Sequence, residues 1–285
     1  MDNKTYTGIL REGTDGSYVE QSDGTKLFSD ELIWEGYIKH WKNTAVCARR
    51  LEQRDYQNGD PILIMWPDEP KPKRPFVRIY YNERLVKYWQ STFGHLAIDV
   101  NGDIFNFAEK YNEIEIITKE EYFYRPALGE FAPSPNTGRQ EIFQEGKSYL
   151  DKFGRNFMRG IHVCHIEGIN AKKLHRRLSE KMEKIHNTPP HPKDPENWPD
   201  FHFLKRSCTT IVRDGLRECG YKNIKGVIPR DFFVNAAYNL NKEKELNVRL
   251  YKMPQLLVPE GPPSKPTMLF NFSNWFKNRT LNFEN

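Results

Sequence analysis

The amino-acid sequence predicts an α+β protein. A small β-rich, barrel-like domain covers residues 1–68 and a proline-rich linker covers 69–75. An antiparallel sheet packed with helices covers 76–252, and a Pro/aromatic tail covers 253–285. Three observations carry this. Short β-prone runs before residue 68 are punctuated by Gly13, Asp15-Gly16, Asp23-Gly24 and Asn58-Gly59. Asn101-Gly102 joins two further β-prone runs, a strong tight-turn signal. Helical periodicity comes later: Leu174, Leu178, Met182 and Ile185 recur every three to four residues.

Taken in order, TYTGILRE, SYVEQ, TKLFS, TAVCARRLE and PILIMWP read as strands, with room for one helix around Asp30–Gly36. No cluster of catalytic side chains falls here, so a binding or packing module is expected. PDEPKPKRP is a stiff, solvated stretch by composition. FVRIYYNERLVKYWQS reads as a strand leading to FGHLAIDV-NGD-IFNFAEKYN, a β-hairpin. NEIEIITKEEYFYRP is strand-like, LGEFAPSPNTG is a loop, and GRQEIFQEGKSYLDKFG is expected to be helical, with Ile142, Phe143, Tyr149, Leu150 and Phe153 on one side. A strand over MRGIHVCHIEG, the periodic helix and a long proline loop (187–200) lead to a helix starting at Cys208. Another helix starts near Pro229, a favoured first-turn residue, and ELNVRLYKM is the last strand. In the tail, Phe270, Phe272, Trp275 and Phe276 are expected to dock on the body of the protein.

The totals bound the function. With 285 residues, 38% hydrophobic and 13% aromatic, the chain can build a substantial core. Its net charge of +5 is spread rather than blocked, and no nucleic-acid partner is expected. The four cysteines show no C-x-x-C pair and no zinc spacing, so no metal or other cofactor is expected. MDNKTYTGILREG lacks the apolar core of a secretory signal, and no apolar run reaches roughly 18 residues, so no transmembrane segment is expected. The expectation is a chain made in the cytoplasm that needs a specialised route if it acts outside.

Free cysteines are commonly buried and inert, but the position of Cys208 sets it apart. A thiol at a helix N-terminus is biased toward thiolate by the helix dipole and the free N–H groups. Ser207 or Thr209 can cap that helix, and the Cys208 N–H lies where an oxyanion hole would be built. Cys219 near the helix end and Cys164 in mid-strand read as packing residues. Among eight histidines, His95 opens a strand after a glycine, which leaves room for a substrate beside its ring. His175 and His186 sit on the amphipathic helix and His191 in the proline loop. His162 and His165 point to opposite faces of a strand, and His202 is close to Cys208 only in sequence. His40 completes the eight. A two-residue turn at Asn101-Gly102 pairs positions summing to about 203, which leaves Asn106 diagonal to His95. Closing that gap needs a register change or a bulge. Asp99, on the His95 face, is an alternative orienting group.

FGHLAIDVNGDIFNF, followed far downstream by SCTTIVRDGLRECGYKNIKGVIPRDFF, resembles the circularly permuted branch of the NlpC-type papain-like cysteine hydrolase superfamily. The lecithin:retinol acyltransferase-like proteins share its motif order, a strand His before a helix-borne Cys. The resemblance spans residues 76–240 or so and rests on two short motifs. It implies a permuted papain-like domain with Cys208 as nucleophile, His95 as base and Asn106 as orienting group. The chain departs from the relatives in carrying Asn at the third position and Ser before the cysteine. The implied activity is a cysteine hydrolase attacking an acyl bond, foremost a peptidoglycan amidase or endopeptidase. Such a protein would be an antibacterial effector, exported by a type VI-like secretion machinery into a target-cell periplasm and paired with a cognate immunity protein. A phospholipase or acyltransferase of the same fold acting on a lipid acyl substrate is the second expectation. A non-catalytic binding module is the third.

Overall fold

The structure is a computed structural model describing residues 4–54, 59–70, 72–86, 92–107, 118–124, 131–133, 140–144, 147–150, 159–189, 192, 202–253 and 264–284. In chain order the elements are β1 (Tyr6–Gly13), β2 (Gly16–Glu20), β3 (Lys26–Leu27), α1 (Glu35–Trp41), β4 (Ala45–Arg54), β5 (Pro61–Pro67), β6 (Phe76–Asn82), β7 (Arg84–Leu85), β8 (His95–Val100), β9 (Asp103–Phe105) and α2 (Lys119–Tyr124). There follow β10 (Phe131–Pro133), β11 (Gln140–Gln144), β12 (Lys147–Leu150), β13 (Ile161–Glu167), α3 (Ala171–His186), α4 (Cys208–Glu218), α5 (Pro229–Leu240), β14 (Asn247–Met253), β15 (Ser264–Lys265) and α6 (Phe272–Arg279). The protein is thus mixed α+β with antiparallel sheets.

Two compact units divide the chain, the first break falling at Lys71/Pro72 inside the proline-rich stretch. The first unit holds Met1–Lys71 and also Ile117–Met158 and Pro254–Gly261, so it takes in chain that the sequence assigns to the later domain and the tail. Its main sheet runs β3-β2-β1-β4-β5. Period-2 alternation turns Leu10, Val19, Val46, Ala48, Leu63 and Met65 onto Tyr37 and Trp41 of α1. Two expectations are corrected here. The strand-like reading of NEIEIITKEEYFYRP gives way, in its described part, to α2. Thr118 starts it as a cap, accepting from the Glu121 N–H at 3.3 Å, with Glu120 and Glu121 in the first turn. The helix expected over GRQEIFQEGKSYLDKFG is instead β11 and β12, with Ile142 opposite Tyr149. Gly146 disfavours a helix interior, whereas Ile, Phe and Tyr favour strands.

In the second unit all pairings of the sheet β14-β13-β6-β8-β9 are antiparallel. One face carries Val77, Ile79, Leu96, Ile98, Val100 and Ile166 into a core completed by α3, α4 and α5. The periodic residues Leu174, Leu178 and Ile185 of α3 are buried in it as the sequence predicts. Asn170 caps α3 by accepting from the Lys173 N–H at 3.0 Å. Pro229 takes the first position of α5. The opposite sheet face carries the polar neighbours Arg78, Tyr80, Asp99 and His165, with the Arg78 Nε donating to His165 Nδ1 at 3.1 Å.

The tail corrects a further expectation. The four aromatic side chains expected to dock, Phe270, Phe272, Trp275 and Phe276, are exposed, whereas Phe283 packs against the core. The anchor is polar. The buried Asp231 carboxylate accepts from the N–H groups of Phe270 (2.9 Å) and Asn271 (3.1 Å) and from the side chain of buried Asn274 (2.8 Å). Asp231→Ala leaves two backbone N–H groups without their acceptor and the Asn274 amide with only the residue-231 backbone carbonyl, and should cost about 2–3 kcal/mol in urea unfolding. Proteolysis should then cut first within residues 268–279.

Candidate active site

The site grows from the hairpin. Asn101 (φ 56°) and Gly102 (φ 105°) both occupy the left-handed region that a two-residue hairpin turn requires. The resulting register pairs Ile98 with Phe105, Asp99 with Ile104 and Val100 with Asp103, the pairing the sequence predicts. Asp99 secures the turn, its carboxylate accepting from the Gly102 N–H at 2.6 Å and facing the Tyr80 hydroxyl at 3.4 Å. Those contacts place Asp99 away from the role of orienting His95.

Asn106 takes that position. Neither a bulge nor a register change closes the diagonal gap. Strand β9 ends at Phe105, and Asn106 swings out of the ladder to bring its side-chain oxygen 2.5 Å from His95 Nε2. The ring proton therefore sits on Nε2, donated to Asn106, and Nδ1 is left as the basic nitrogen.

Gly94 has a different role from the one expected. It adopts φ +75°, and a Cβ there would lie 2.5 Å from the Asn82 carbonyl oxygen and 3.0 Å from the Tyr81 ring. Glycine stands before His95 because β6 fills that space, not because a substrate needs it. Nothing in the spacing shows this: the signal is only a glycine ahead of a strand.

Cys208 opens α4. Ser207 caps the helix in a reciprocal box: its hydroxyl accepts from the Thr210 N–H, and Thr210 Oγ1 accepts from the Ser207 N–H at 2.8 Å. Buried Thr209 and Thr210 fix the first turn in the core, and the half-buried thiol sits at its positive end. Burial by itself would raise the thiol's pKa. It is outweighed by the charge of His95, a hydrogen bond with that ring, the Leu96 backbone N–H and the Thr209 hydroxyl, and Cys208 is held below the ordinary thiol value. The other cysteines go the other way. Burial pushes Cys47 up to about 11, Cys164 up to about 12, and Cys219 upward as well.

Cys208, His95 and Asn106 are thus brought together within the second unit. Among the described residues, four other histidines have partners of their own. His162 Nε2 lies 2.8 Å from Glu83, His175 Nε2 lies 3.0 Å from Asp103, and His202 Nδ1 accepts from the Leu204 N–H. His165 lies beside Arg78 on the far sheet face, and His40 belongs to the first unit. The side chain of His186, and the whole of His191, lie outside the described residues. Among the described residues no group of three or more His, Cys, Asp or Glu is placed to hold a metal ion, and no helix is long and apolar enough to cross a membrane.

A thiol held below its ordinary value is ionised to a greater extent at a given pH than thiols raised to about 11 or 12. Iodoacetamide followed by peptide mass mapping should label Cys208 first at neutral pH, and His95→Ala should remove that advantage. Equal labelling of Cys47 would contradict it. Gly94→Ala, strained by about 1–3 kcal/mol at positive φ, should slow Cys208 labelling as it displaces His95. No family model matches the chain, no curated protein matches it, and no solved structure matches it.

Proposed function

We propose that the protein is a cysteine hydrolase that attacks an acyl carbon, with Cys208 as nucleophile, His95 as base and Asn106 as the group that orients His95. The observation that carries this reading is the contact between a thiol at a capped helix start and a histidine whose second ring nitrogen is held by an asparagine. His95 takes the thiol proton and the thiolate adds to the acyl carbon. The collapsing intermediate receives that proton on its leaving group and leaves a thioester on Cys208. Water then attacks the thioester, His95 taking its proton, and the thiolate departs with the acid released. The Cys208 N–H, at the positive end of α4, is the donor best placed for the oxyanion.

What supports a peptidoglycan amide or peptide bond as the substrate is the resemblance of the two motifs to the NlpC-type superfamily, whose usual substrates these are, and the small β-rich domain ahead of them. The aromatic surface of the second unit favours a second reading, a lipid acyl ester. Incubation with purified peptidoglycan and, separately, with phospholipid vesicles distinguishes the two by released muropeptides or free fatty acid. In the productive assay Cys208→Ala should abolish turnover. His95→Ala should reduce it about 10²- to 10⁴-fold, the usual contribution of a positioned base. Asn106→Ala should cost less, since it removes the orientation of the base and not the base. Full effect of Cys208→Ala in a cellular assay would favour a binding module and sink the catalytic reading.

A further inference from the structure

After its last long strand the chain comes back to the candidate site. Residues 264–271 run over the second unit as a strap that is tied down at three points. At its start β15 pairs with β7, Ser264 opposite Leu85 and Lys265 opposite Arg84. The Ser264 hydroxyl accepts from the Gly160 N–H at 2.8 Å and donates to the Glu83 carboxylate at 3.1 Å, the carboxylate that also holds His162. At its end the N–H groups of Phe270 and Asn271 donate to Asp231.

The middle tie is Thr267, 4% exposed, and it leads to the base. Its N–H donates to the hydroxyl of buried Tyr81 at 2.9 Å, its own hydroxyl donates to the Thr92 carbonyl at 3.4 Å, and its carbonyl accepts from Arg230. Thr92 stands three residues before His95. Tyr81 adjoins Asn82, the β6 residue that pairs with His95, and lies opposite Leu96, whose N–H reaches the Cys208 sulfur. The Tyr81 ring also fills the space beside Gly94, where a Cβ would lie 3.0 Å from the ring and 3.5 Å from its hydroxyl oxygen. One phenol therefore packs against the residue before His95 and takes a hydrogen bond from the strap.

His95 needs that support. It is the first residue of β8, so residues 92–94 lie outside the strand. Strand β9 pairs only with Ile98, Asp99 and Val100 and gives His95 no ladder partner on that side. Asn106 fixes the imidazole ring but not the backbone from which the ring springs. A base works only when held within a fraction of an ångström of its partner, by groups that are themselves locked. Tyr81 and Thr267 are buried, so water does not replace their hydrogen bonds when one partner is removed.

We propose that the strap, through Thr267 and Tyr81, positions His95 for Cys208, so that the C-terminal segment is part of the site and not an appendage to it. Both are positioning residues: they act through His95. The inference rests on the reading of Cys208 and His95 as a pair.

The test is the pH profile of Cys208 alkylation by iodoacetamide in the full chain, with urea unfolding as the measure of fold. Tyr81→Phe keeps the ring against Gly94 and removes the acceptor of the Thr267 N–H. Thr267→Val keeps the shape and removes the hydroxyl that reaches Thr92. Each should move the profile to higher pH and slow alkylation at neutral pH by about threefold, the effect of a midpoint raised by about half a unit. Thr267→Ser returns the hydroxyl and should return the parent profile. If Tyr81→Phe does not fold, Thr267→Val decides. A folded Thr267→Val with the parent profile overturns the inference, and so does a Thr267→Ser profile displaced as far as that of Thr267→Val, which assigns the effect to packing. His95→Ala separates the two levels. A profile displaced in His95→Ala but not in the strap variants removes the positioning role and leaves the pair standing. A parent profile in His95→Ala removes the pair itself, and the inference with it.

Discussion

The two-residue turn at Asn101–Gly102 is the constraint on which the candidate site depends. Side chains alternate faces along a strand, so a turn one residue longer would reverse every partner of β8 across β9. Only the present register ends β9 with Asn106 one step beyond the ladder, free to reach back to the first residue of β8. Both turn residues need positive φ, which asparagine tolerates and glycine adopts without strain. Asp99 stabilises the turn from within the same strand. The polar residues of the hairpin therefore divide their work, Asp99 holding the geometry and Asn106 holding the histidine.

The four cysteines show how environment sets thiol chemistry on one polypeptide. Burial raises the pKa in each case, because a thiolate loses its hydration. At Cys47 the neighbouring Asp68 adds to that effect, and at Cys164 nothing opposes it. At Cys219, close to the helix end, burial prevails over the nearby Lys173 and Arg177. Cys208 alone combines a helix start, an adjacent imidazole and donors from Leu96 and Thr209, and there attraction exceeds desolvation.

Where one local rule governs, the sequence was readable. The Asn-Gly hairpin and its register, the period of α3 and the proline start of α5 are each set by a few neighbouring residues. The capped start of α4 belongs with them, and with it the candidate thiol. The misread segments are those where two rules compete. In QEIFQEGKSYL the apolar residues come in adjacent pairs, which suits neither period cleanly, and glycine with β-prone residues tips the backbone to strands. In TKEEYFY a threonine cap outweighs aromatic strand preference. The tail was misread for another reason. Aromatics are usually the buried side of a helix, and only the distant Asp231 shows that here Asn274 is the buried one. The reach of Asn106 to His95 was legible only as a near miss, because the end of a strand is not written in its periodicity.

His95 lies more than a hundred residues ahead of Cys208 in the chain. During synthesis the hairpin with His95 leaves the ribosome well before Cys208 exists, and β13 and α3 emerge between them. Until α4 forms and packs on β8, Cys208 is an ordinary thiol with no imidazole nearby. The pull on its pKa is a property of the finished fold, set late, so in a nascent or unfolded chain the small electrophiles of the cell meet Cys208 only as an ordinary thiol.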